Sequence, residues 1–375
     1  MIKDISNFTI FAFQFLRLMK KFFSATLYIA AALCLASCAK VVTPGVNETH
    51  KQELVAWMKI NHPDISPSGL GIYIVKETPG NGAEVTDNGL ALVNYKVTDL
   101  EGNITAYTSL ETAKQLGTDS KTAYYGPKFW TTYETTIGAG LGNALIGMKV
   151  GGSMDVIVPS WLMTARTFDT EQDYLDYYDE EGSSSYSDTR YQFDVLDFTE
   201  DIDQWQIDSI GRFFKNPDVM LDGKPASTIF NGMNAAVDTV TVNGFYYKQL
   251  AAPANKKDFP KDTVVYINYT GRLLNGLVFD TNIERVAREN WLYSKSKTYS
   301  PVQINWGEEY SDITMTSSKS SVIPGFALTL WQMKAMEKGV GVFYSKLGYG
   351  SSGSGDAIPG YAPLIFEIEL VEKPQ

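Results

Sequence analysis

The side chains that most often carry catalytic chemistry are scarce in this 375-residue chain. It contains two histidines, His50 and His62, and two cysteines, Cys34 and Cys38, all close to the N-terminus. The count therefore excludes a Cys/His zinc site, a Ser-His-Asp triad and a Cys-His pair from the body of the chain. We expect neither a metal ion nor a cofactor, so any reaction must use other groups.

Four short motifs rich in aromatic residues and glycine follow one another in the last third of the chain. They read VVYINYTGRLLNGLVFDTN from residue 264, VIPGF from residue 322, GYG from residue 348 and AIPGYAPLIFEIEL from residue 357. Single pieces are common, whereas all four in this order and at these intervals are specific. Through them, residues 243–373 resemble the FKBP-type peptidyl-prolyl isomerase family.

The resemblance implies a reaction that needs no histidine and no metal. Rotation about a peptide bond faces a barrier of about 18–20 kcal/mol because resonance gives the C–N bond double-bond character. At Xaa-Pro bonds both isomers are populated, and their uncatalysed exchange is slow. The twisted transition state has lost amide resonance and is less polar than the planar ground state. A dry aromatic pocket with a few fixed hydrogen bonds therefore favours the twisted form.

Carried over position by position, the resemblance implies a pocket with aromatic walls. Tyr269, Phe279 and Phe366 would form the walls, and Phe326 the floor under the proline ring. Each of these residues alone is more often an ordinary core aromatic. Only the joint pattern favours a pocket.

The polar side and the rim of the pocket are implied in the same way. Asp280 would orient the polar side, Tyr349 would reach over the top as a hydroxyl donor, and Ile358 would close a flap. Val322 and Ile323 would line the rim, with the Ile323 N–H donating to a substrate carbonyl. Alone, Asp280 would be a solvated strand-end carboxylate and Tyr349 a turn residue.

The sequence departs from the family pattern at the floor, at one wall and in two insertions. The floor is usually Trp, whereas Phe326 is smaller and lacks an indole N–H. Val302, in SPVQIN, stands where the family usually has another aromatic wall. The insertions are residues 284–299 and 307–321, and the second directly precedes VIPGF, where it would cover or reshape the cleft. These departures bear on rate and sequence preference more than on fold.

The elements that position these motifs occur twice. Residues 48–61 and 203–216 each carry apolar side chains at helical spacing, and a proline follows closely. After each come a Gly-aromatic strand, an alternating strand with Asn-Tyr, a short helix ending near Met and a final alternating strand. A repeat distance of about 175 residues is too long for a solenoid and indicates a duplicated domain.

The pattern in each copy predicts an α+β class, with an antiparallel sheet wrapped on one short helix and an amphipathic helix before it. We assign residues 1–38 to a signal peptide, 39–68 to a spacer and helix, 69–201 to a degenerate FKBP-like domain, 202–242 to a helical linker and 243–375 to the isomerase domain. The helices before the domains would pack on them or mediate dimerisation. Their apolar faces do not decide, and the oligomeric state stays open.

The first copy has lost most of the implied site. Tyr95 and Phe193 remain, but Ala106 and Tyr107 occupy the place of the Phe-Asp pair, and Leu141 that of the floor. We therefore predict a pseudo-isomerase that retains the fold without catalysis.

No Tyr-Gly flap follows in the first copy. Residues 166–190 form an acidic, tyrosine-rich insertion at the equivalent place. It is either a solvated surface loop or a binding loop with exposed tyrosines, which supply contact area at low entropic cost.

The N-terminus resembles a bacterial lipoprotein signal. Two lysines precede a short apolar run, and the sequence LASC, ending at Cys38, resembles a lipobox with cleavage before Cys38 and lipidation of its thiol. Met19 would be a more typical start than the first residue. The alternative is an ordinary signal peptide with an incidental cysteine. After cleavage Cys38 would be the only cysteine, so no disulfide within the chain is expected.

The formal net charge of −11, without a Lys/Arg cluster, argues against a nucleic-acid partner. We expect proline-containing polypeptides as clients and a membrane link through Cys38. The expected location is that of an outer-membrane lipoprotein facing the periplasm, with the cell surface as the alternative. The predicted function is isomerisation of Xaa-Pro bonds in exported proteins of the bacterial cell envelope. The alternative is a non-enzymatic chaperone or adhesion-type binding module built on both folds.

Overall fold

A computed structural model describes residues 45–133, 138–164, 166–181, 187–255 and 257–374. The predicted signal peptide, with Cys38 and Met19, lies outside these residues. The described residues belong to two compact units, one with residues 45–49 and 175–181 and the other with the remaining described residues. Both large sheets belong to the second unit. Among the described helices, none combines the length and the apolar character needed to cross a membrane.

Eight α-helices are present in the described part of the chain. They are α1 (Val46–Asn61), α2 (Leu110–Leu116), α3 (Ala139–Leu145), α4 (Glu171–Glu181), α5 (Ile202–Phe213), α6 (Ala226–Ile229), α7 (Glu284–Glu289) and α8 (Pro324–Trp331). Three single 3₁₀ turns occur at Ser160–Leu162, Tyr310–Asp312 and Ser345–Leu347. The two long predicted helices correspond to α1 and α5.

The first sheet consists of six antiparallel strands. They are β1 (Tyr73–Thr78), β2 (Leu90–Thr98), β3 (Ile104–Tyr107), β4 (Lys128–Thr131), β5 (Ser153–Val158) and β6 (Thr189–Thr199). The spatial order is β1-β5-β6-β2-β3, and β4 pairs with the part of β2 that β3 leaves free. The short helix α3 packs against β5.

The remaining strands comprise one small ribbon and the second sheet. They are β7 (Met220–Leu221), β8 (Lys224–Pro225), β9 (Phe245–Ala251), β10 (Val264–Leu273), β11 (Val278–Thr281), β12 (Val302–Asn305), β13 (Thr314–Met315), β14 (Lys338–Phe343) and β15 (Leu364–Val371). β7 pairs with β8, and the seven-stranded sheet runs β13-β12-β10-β15-β14-β9, with β11 paired to β10. Apart from β13, the two large sheets have the same order. This confirms the predicted α+β class with one antiparallel sheet on a short helix in each copy.

The strands of the second sheet are apolar on both faces. Side chains of a strand alternate between the two faces. On β15, Phe366 and Ile368 belong to the inner core with α8, whereas Ile365 belongs to a second cluster on the outer face. The sheet therefore needs a cover on each side.

Residues 202–242, predicted as a linker, supply the outer cover. Ile207, Ile210 and Phe213 of α5 are buried in one cluster with Val340 and Ile365 of the sheet. Full burial of each such side chain contributes about 1.5–3 kcal/mol. The segment is therefore a structural layer of the second domain. In the first domain, Leu54 and Met58 of α1 pack similarly on Ile157 of β5.

Candidate active site

Two inward-facing residues of neighbouring strands begin the candidate site. Tyr269 on β10 and Phe366 on β15 both point to the concave face, and Gly271 pairs directly with Phe366. A Cβ at Gly271 would lie 2.6 Å from Phe279 Cε2 and 2.9 Å from Phe366 Cε1, closer than carbon atoms can approach. The glycine of the Tyr-Thr-Gly motif therefore leaves the space that both rings occupy.

The four predicted aromatic residues meet largely edge to face. Phe366 lies 5.0 Å from Phe326 at 86° and 5.6 Å from Phe279 at 76°, between ring centroids. Tyr269 lies 5.7 Å from Phe326 at 89°. Phe326 and Phe366 are buried, whereas Tyr269 and Phe279 pack on them from partly exposed positions. The four rings thus line a cleft that is closed at its floor and accessible at its walls.

Asp280 and its two partners form the polar side of this cleft. The Tyr269 hydroxyl donates to Asp280 Oδ2 at 2.6 Å, and Lys297 Nζ donates to Asp280 Oδ1 at 2.7 Å. Burial, together with the Asp280 carboxylate, raises the pKa of the Tyr269 phenol well above its usual range. The phenol therefore stays protonated and remains a hydrogen-bond donor.

The N-terminus of α8 places the predicted rim and floor. Ile323 is the extended residue before the helix, and Pro324 occupies the first helical position. The Ile323 carbonyl accepts from the N–H groups of Phe326 and Ala327 at 3.0 and 3.1 Å. Its own N–H has no acceptor in the described residues, so it is free to donate to a ligand. Val322 packs beside it on the inner core.

Residues 348–363 form a loop, here called the flap, that brings Tyr349 and Ile358 to the cleft. Ile358 is buried in the inner core, whereas Tyr349 is 37% exposed. Burial, together with the charge of Asp280, raises the pKa of Tyr349. Eight of the nine predicted site residues thus join one cluster through core packing and the hydrogen bond from Tyr269 to Asp280, and Tyr349 lies on the same flap as Ile358.

The flap is not a flexible linker despite its glycine and serine content. Ser354 and Ile358 exchange two backbone hydrogen bonds, at 2.8 and 3.2 Å, and the Tyr361 N–H donates to the Gly350 carbonyl at 2.8 Å. Gly353 has φ +65°, and a Cβ there would lie 2.1 Å from the Ile358 carbonyl oxygen. Glycine is required because the loop folds back closely on itself.

The motifs do not reveal Lys297 and Asn282, which hold the Asp280 carboxylate and the backbone of Tyr269 in place. The Tyr269 N–H donates to Asn282 Oδ1 at 2.7 Å, and Asn282 Nδ2 donates to the carbonyls of Ile267 and Ser300 at 2.9 Å each. Asn282 thus joins β10 to Ser300, the residue that follows the first insertion. Motif spacing cannot reveal the role of Lys297, because its partner lies 17 residues earlier and the contact depends on the path of the insertion.

The second insertion extends the sheet instead of lying free over the cleft. Residues 314–315 form β13 on the edge of β12, and Ile313 is buried in the inner core. Val302, the predicted wall substitute, pairs with Ile267 and packs partly buried against the same core.

Strand pairing corrects the predicted equivalents of the Phe-Asp pair in the first domain. Val97 pairs with Ala106 in β2–β3, as the glycine of Tyr-Thr-Gly pairs with the aspartate in β10–β11. The equivalents are therefore Thr105 and Ala106, and the prediction of Ala106 and Tyr107 was wrong by one residue. The position lacks both the phenylalanine and the acid in either register.

The same pairing shows that Tyr191, and not Phe193, stands at the place of Phe366. Val97 pairs with Tyr191, whereas Phe193 pairs with Tyr95, whose counterpart in the second domain pairs with an isoleucine. A shift of two residues keeps the same face of the strand inward, so the alternating pattern could not detect it.

The first domain fills the equivalent cleft with its own side chains. Trp130 of β4 lies 5.0 Å from Tyr95 and 5.3 Å from Phe193, between ring centroids. Val97, 7% exposed, occupies the place of the cleft glycine. Leu141 stands three residues after the N-cap of α3, as Phe326 does in α8. In the part of the chain that the structure describes, the Tyr95 hydroxyl has no acidic hydrogen-bond partner.

The described part of the acidic insertion of the first domain contains a helix. Residues 171–181 form α4, and Tyr174 is only 1% exposed. Its ring contacts Phe168 at 5.5 Å. Tyr174 is therefore a buried residue and not an exposed contact residue.

Residues 255–371 match the family model of FKBP-type peptidyl-prolyl cis-trans isomerases. FK506-binding protein 1A of Aspergillus fumigatus is 34% identical over 125 residues, which are 33% of this chain and 90% of that protein. A probable FKBP-type peptidyl-prolyl cis-trans isomerase FkpA of Neisseria meningitidis is 32% identical over 143 residues, 37% of this chain and 42% of that protein. The crystal structure of the three FKBP domains of wheat FKBP73 covers 82% of this chain and 98% of its own, at 15% identity and a TM-score of 0.26.

Proposed function

The chain belongs to the FKBP-type peptidyl-prolyl cis-trans isomerase family and is a peptidyl-prolyl isomerase; from this premise we propose that the reaction takes place in the aromatic cleft of the second domain. One observation carries the proposal. Four aromatic rings, the Asp280 carboxylate and a free Ile323 N–H surround one cleft. This combination suits a reaction whose transition state is less polar than its ground state.

In the proposed mechanism the substrate proline enters between Tyr269 and Phe366 and lies on Phe326. The aromatic lining replaces water, so the polar planar amide loses solvation that the twisted amide needs less. The Ile323 N–H donates to a flanking carbonyl and fixes the chain on one side of the rotating bond. The Tyr349 hydroxyl donates from the flap on the other side. The mechanism includes no proton transfer, which agrees with a Tyr269 phenol that stays protonated.

Asp280 acts in this mechanism by holding the cleft and not by removing a proton. Its carboxylate accepts from Tyr269 on one oxygen and from Lys297 on the other, which fixes the wall ring. Hydrogen bonds to charged groups contribute about 1.5–3 kcal/mol. Loss of the carboxylate therefore frees the Tyr269 ring and leaves Lys297 without its partner.

The test is an NMR exchange assay of the full chain on a Xaa-Pro tetrapeptide, with Asp280→Ala and Phe279→Ala as site variants. We expect acceleration by the unmodified chain and a loss of kcat/KM of about tenfold or more in each variant. Leu110→Ala, at a 41% exposed position of α2, serves as the control and is expected to leave the rate unchanged. Unchanged activity in both site variants would place the reaction elsewhere.

The same assay separates the enzyme from the alternative function. If the unmodified chain accelerates no Xaa-Pro peptide over several residues before proline, a non-enzymatic chaperone or binding module is the better description. The filled cleft of the first domain supports such a role for that domain. Accordingly, we expect the first domain to contribute no isomerase activity to the Asp280→Ala chain.

We further propose that the clients are exported polypeptides of a bacterial envelope and that Cys38 anchors the chain to a membrane. The support lies in the sequence alone, in the apolar run and the lipobox that end at Cys38. Labelled palmitate should be incorporated by cells that express the chain, and Cys38→Ala should abolish the labelling. Labelling that persists in Cys38→Ala would contradict the anchor.

A further inference from the structure

The flap is compact enough to move as one piece. Tyr349 lies at its start and Ile358 in its second half, and two backbone hydrogen bonds join Ser354 to Ile358. Gly353 N–H donates to the Tyr349 carbonyl at 3.2 Å, and Tyr361 N–H to the Gly350 carbonyl at 2.8 Å. A contact anywhere on this loop therefore affects the positions of both Tyr349 and Ile358.

The first domain makes such contacts. The Tyr124 N–H donates to the Asp356 carbonyl of the flap at 2.8 Å. The Tyr124 side chain also packs on the inner core of the second domain. Phe129, on the outer face of β4, meets the Tyr361 ring of the flap at 5.7 Å and 83°.

A third aromatic residue fixes this contact from the side. Trp205 at the start of α5 lies 4.8 Å from Phe129 at 87°, and its indole N–H donates to Asp197 Oδ2 of β6 at 2.8 Å. Phe129 is therefore held between Trp205 and Tyr361. A cavity of about 210 Å³ beside these rings is also lined by Leu274 and Pro363, so the contact between domains is largely apolar.

The contacting segment is the first domain's copy of a loop that serves the site in the second. SKTAYYGP (residues 120–127) matches SKSKTYSP (residues 294–301). In both, the first serine N–H donates to the tyrosine hydroxyl, at 3.0 Å from Ser120 to Tyr125 and at 2.9 Å from Ser294 to Tyr299. Where the second copy has Lys297, which binds Asp280, the first has an alanine followed by Tyr124.

We propose that Tyr124 and Phe129 of the first domain are positioning residues for the flap, and that they set the affinity of the second domain for Xaa-Pro substrates. The inference rests on the proposed site, since only a substrate beneath Tyr349 and Ile358 would sense the flap. Both residues act through flap contacts and touch no substrate. The degenerate domain thereby holds the substrate-binding loop of the active one.

The expected effect is on KM. The flap contacts the flanking chain in ground state and transition state alike, so releasing it weakens binding without altering the chemical step. Loss of a contact of this size shifts the equilibrium between held and released flap about five- to thirtyfold. For Phe129→Ala in the full chain we expect KM to rise by about that factor, with kcat changed less than about twofold.

Tyr361→Asn probes the same contact from the flap. Tyr361 has φ +61°, a backbone conformation that asparagine tolerates, so the change removes the ring while keeping the loop geometry. If both residues act through one contact, the double variant should be no worse than either single variant. Amide exchange at Tyr124 and Tyr361 should quicken in each variant while exchange in β15 stays unchanged, and Leu110→Ala should alter neither.

Three outcomes are distinguishable. An unmodified chain without activity, or an active Asp280→Ala chain, would overturn the proposed site. An active chain whose KM is insensitive to both Phe129→Ala and Tyr361→Asn would overturn only the role of the first domain. Strictly additive effects of the two changes on KM would show that the residues act separately, and a fall in kcat together with a loss of stability would show that they act on folding. Either result would likewise overturn the role of the first domain.

Discussion

Gly271→Ala tests whether the aromatic cleft is the reaction site without removing any group from it. Gly271 lies in β10, next to the register shift in its pairing with β11, and its φ is outside the positive range that disfavours alanine, so the new methyl group is the main change. Its carbon would lie 2.6 Å from Phe279 Cε2, whereas carbon atoms prefer about 3.5–4.0 Å. The Phe279 ring must therefore retreat from β10 by about 1 Å, into the cleft.

The displacement should lower both stability and activity. Forcing an extra methyl group into a packed site costs about 1–3 kcal/mol. A misplacement of about 1 Å at a reaction site can cost about a hundredfold in rate. We therefore expect Gly271→Ala to lower kcat/KM about ten- to hundredfold and to lower the melting temperature by about 5–10 °C.

Thermal unfolding followed by circular dichroism and the tetrapeptide exchange assay measure the two effects. Gly69→Ala is the matched control, because a Cβ at Gly69 has no atom within 4 Å. In Gly271→Ala/Phe279→Ala the conflict with Phe279 is gone and only the 2.9 Å approach to Phe366 Cε1 remains. Part of the stability should therefore be regained relative to the sum of the single changes, while activity stays low. A Gly271→Ala chain with lowered stability but unchanged kcat/KM would refute the assignment of Phe279 as a wall.

Three further predictions follow from the geometry. Lys297→Met removes a half-exposed ion pair, so we expect unfolding free energy to change by less than about 1 kcal/mol and kcat/KM to fall less than in Asp280→Ala, measured by urea titration and the exchange assay. Because the pKa of Tyr269 is raised, the unfolded chain loses the phenol proton at a lower pH than the folded chain, so the free energy of unfolding should fall as the pH rises past about 10. The value of kcat/KM should stay flat from about pH 6 to 9. A bell-shaped pH profile of kcat/KM would contradict a mechanism without proton transfer. Ile210→Ala should destabilise the second domain by about 2–5 kcal/mol in urea, whereas Ile60→Ala, at a 79% exposed position, should change stability by less than about 0.5 kcal/mol; equal effects would deny that α5 is part of the core.

The sequence by itself determined the class of fold and the members of the cleft. Alternating strands and proline-terminated helices recur in both halves, and each residue's side of a strand follows from the period of two. Of the nine residues that the four motifs named, the structure joins eight in one cluster through core packing and the hydrogen bond to Asp280. Local pattern suffices here because the backbone geometry of a strand or a helix N-terminus dictates where the next side chain points.

Register and contacts between segments were decided only by the tertiary structure. The slip from Phe193 to Tyr191 keeps the same face inward, so no periodicity could reveal it. The burial of α5 on the outer face of the second sheet depends on Val340 and Ile365, whose neighbours on that face come from different strands and are brought together only by the sheet.

The residues that contact Asp280 and the flap could likewise not be predicted from the sequence. Lys297 reaches Asp280 across an insertion, and Tyr124 reaches Asp356 from the other domain. Such a pair forms only where the packing of distant elements brings a donor next to an acceptor. That packing depends on the whole chain and not on any single motif. The LGYGSSGSGDAIPG segment shows the same division: its composition predicts flexibility, and the close approach of its own backbone makes it a rigid flap.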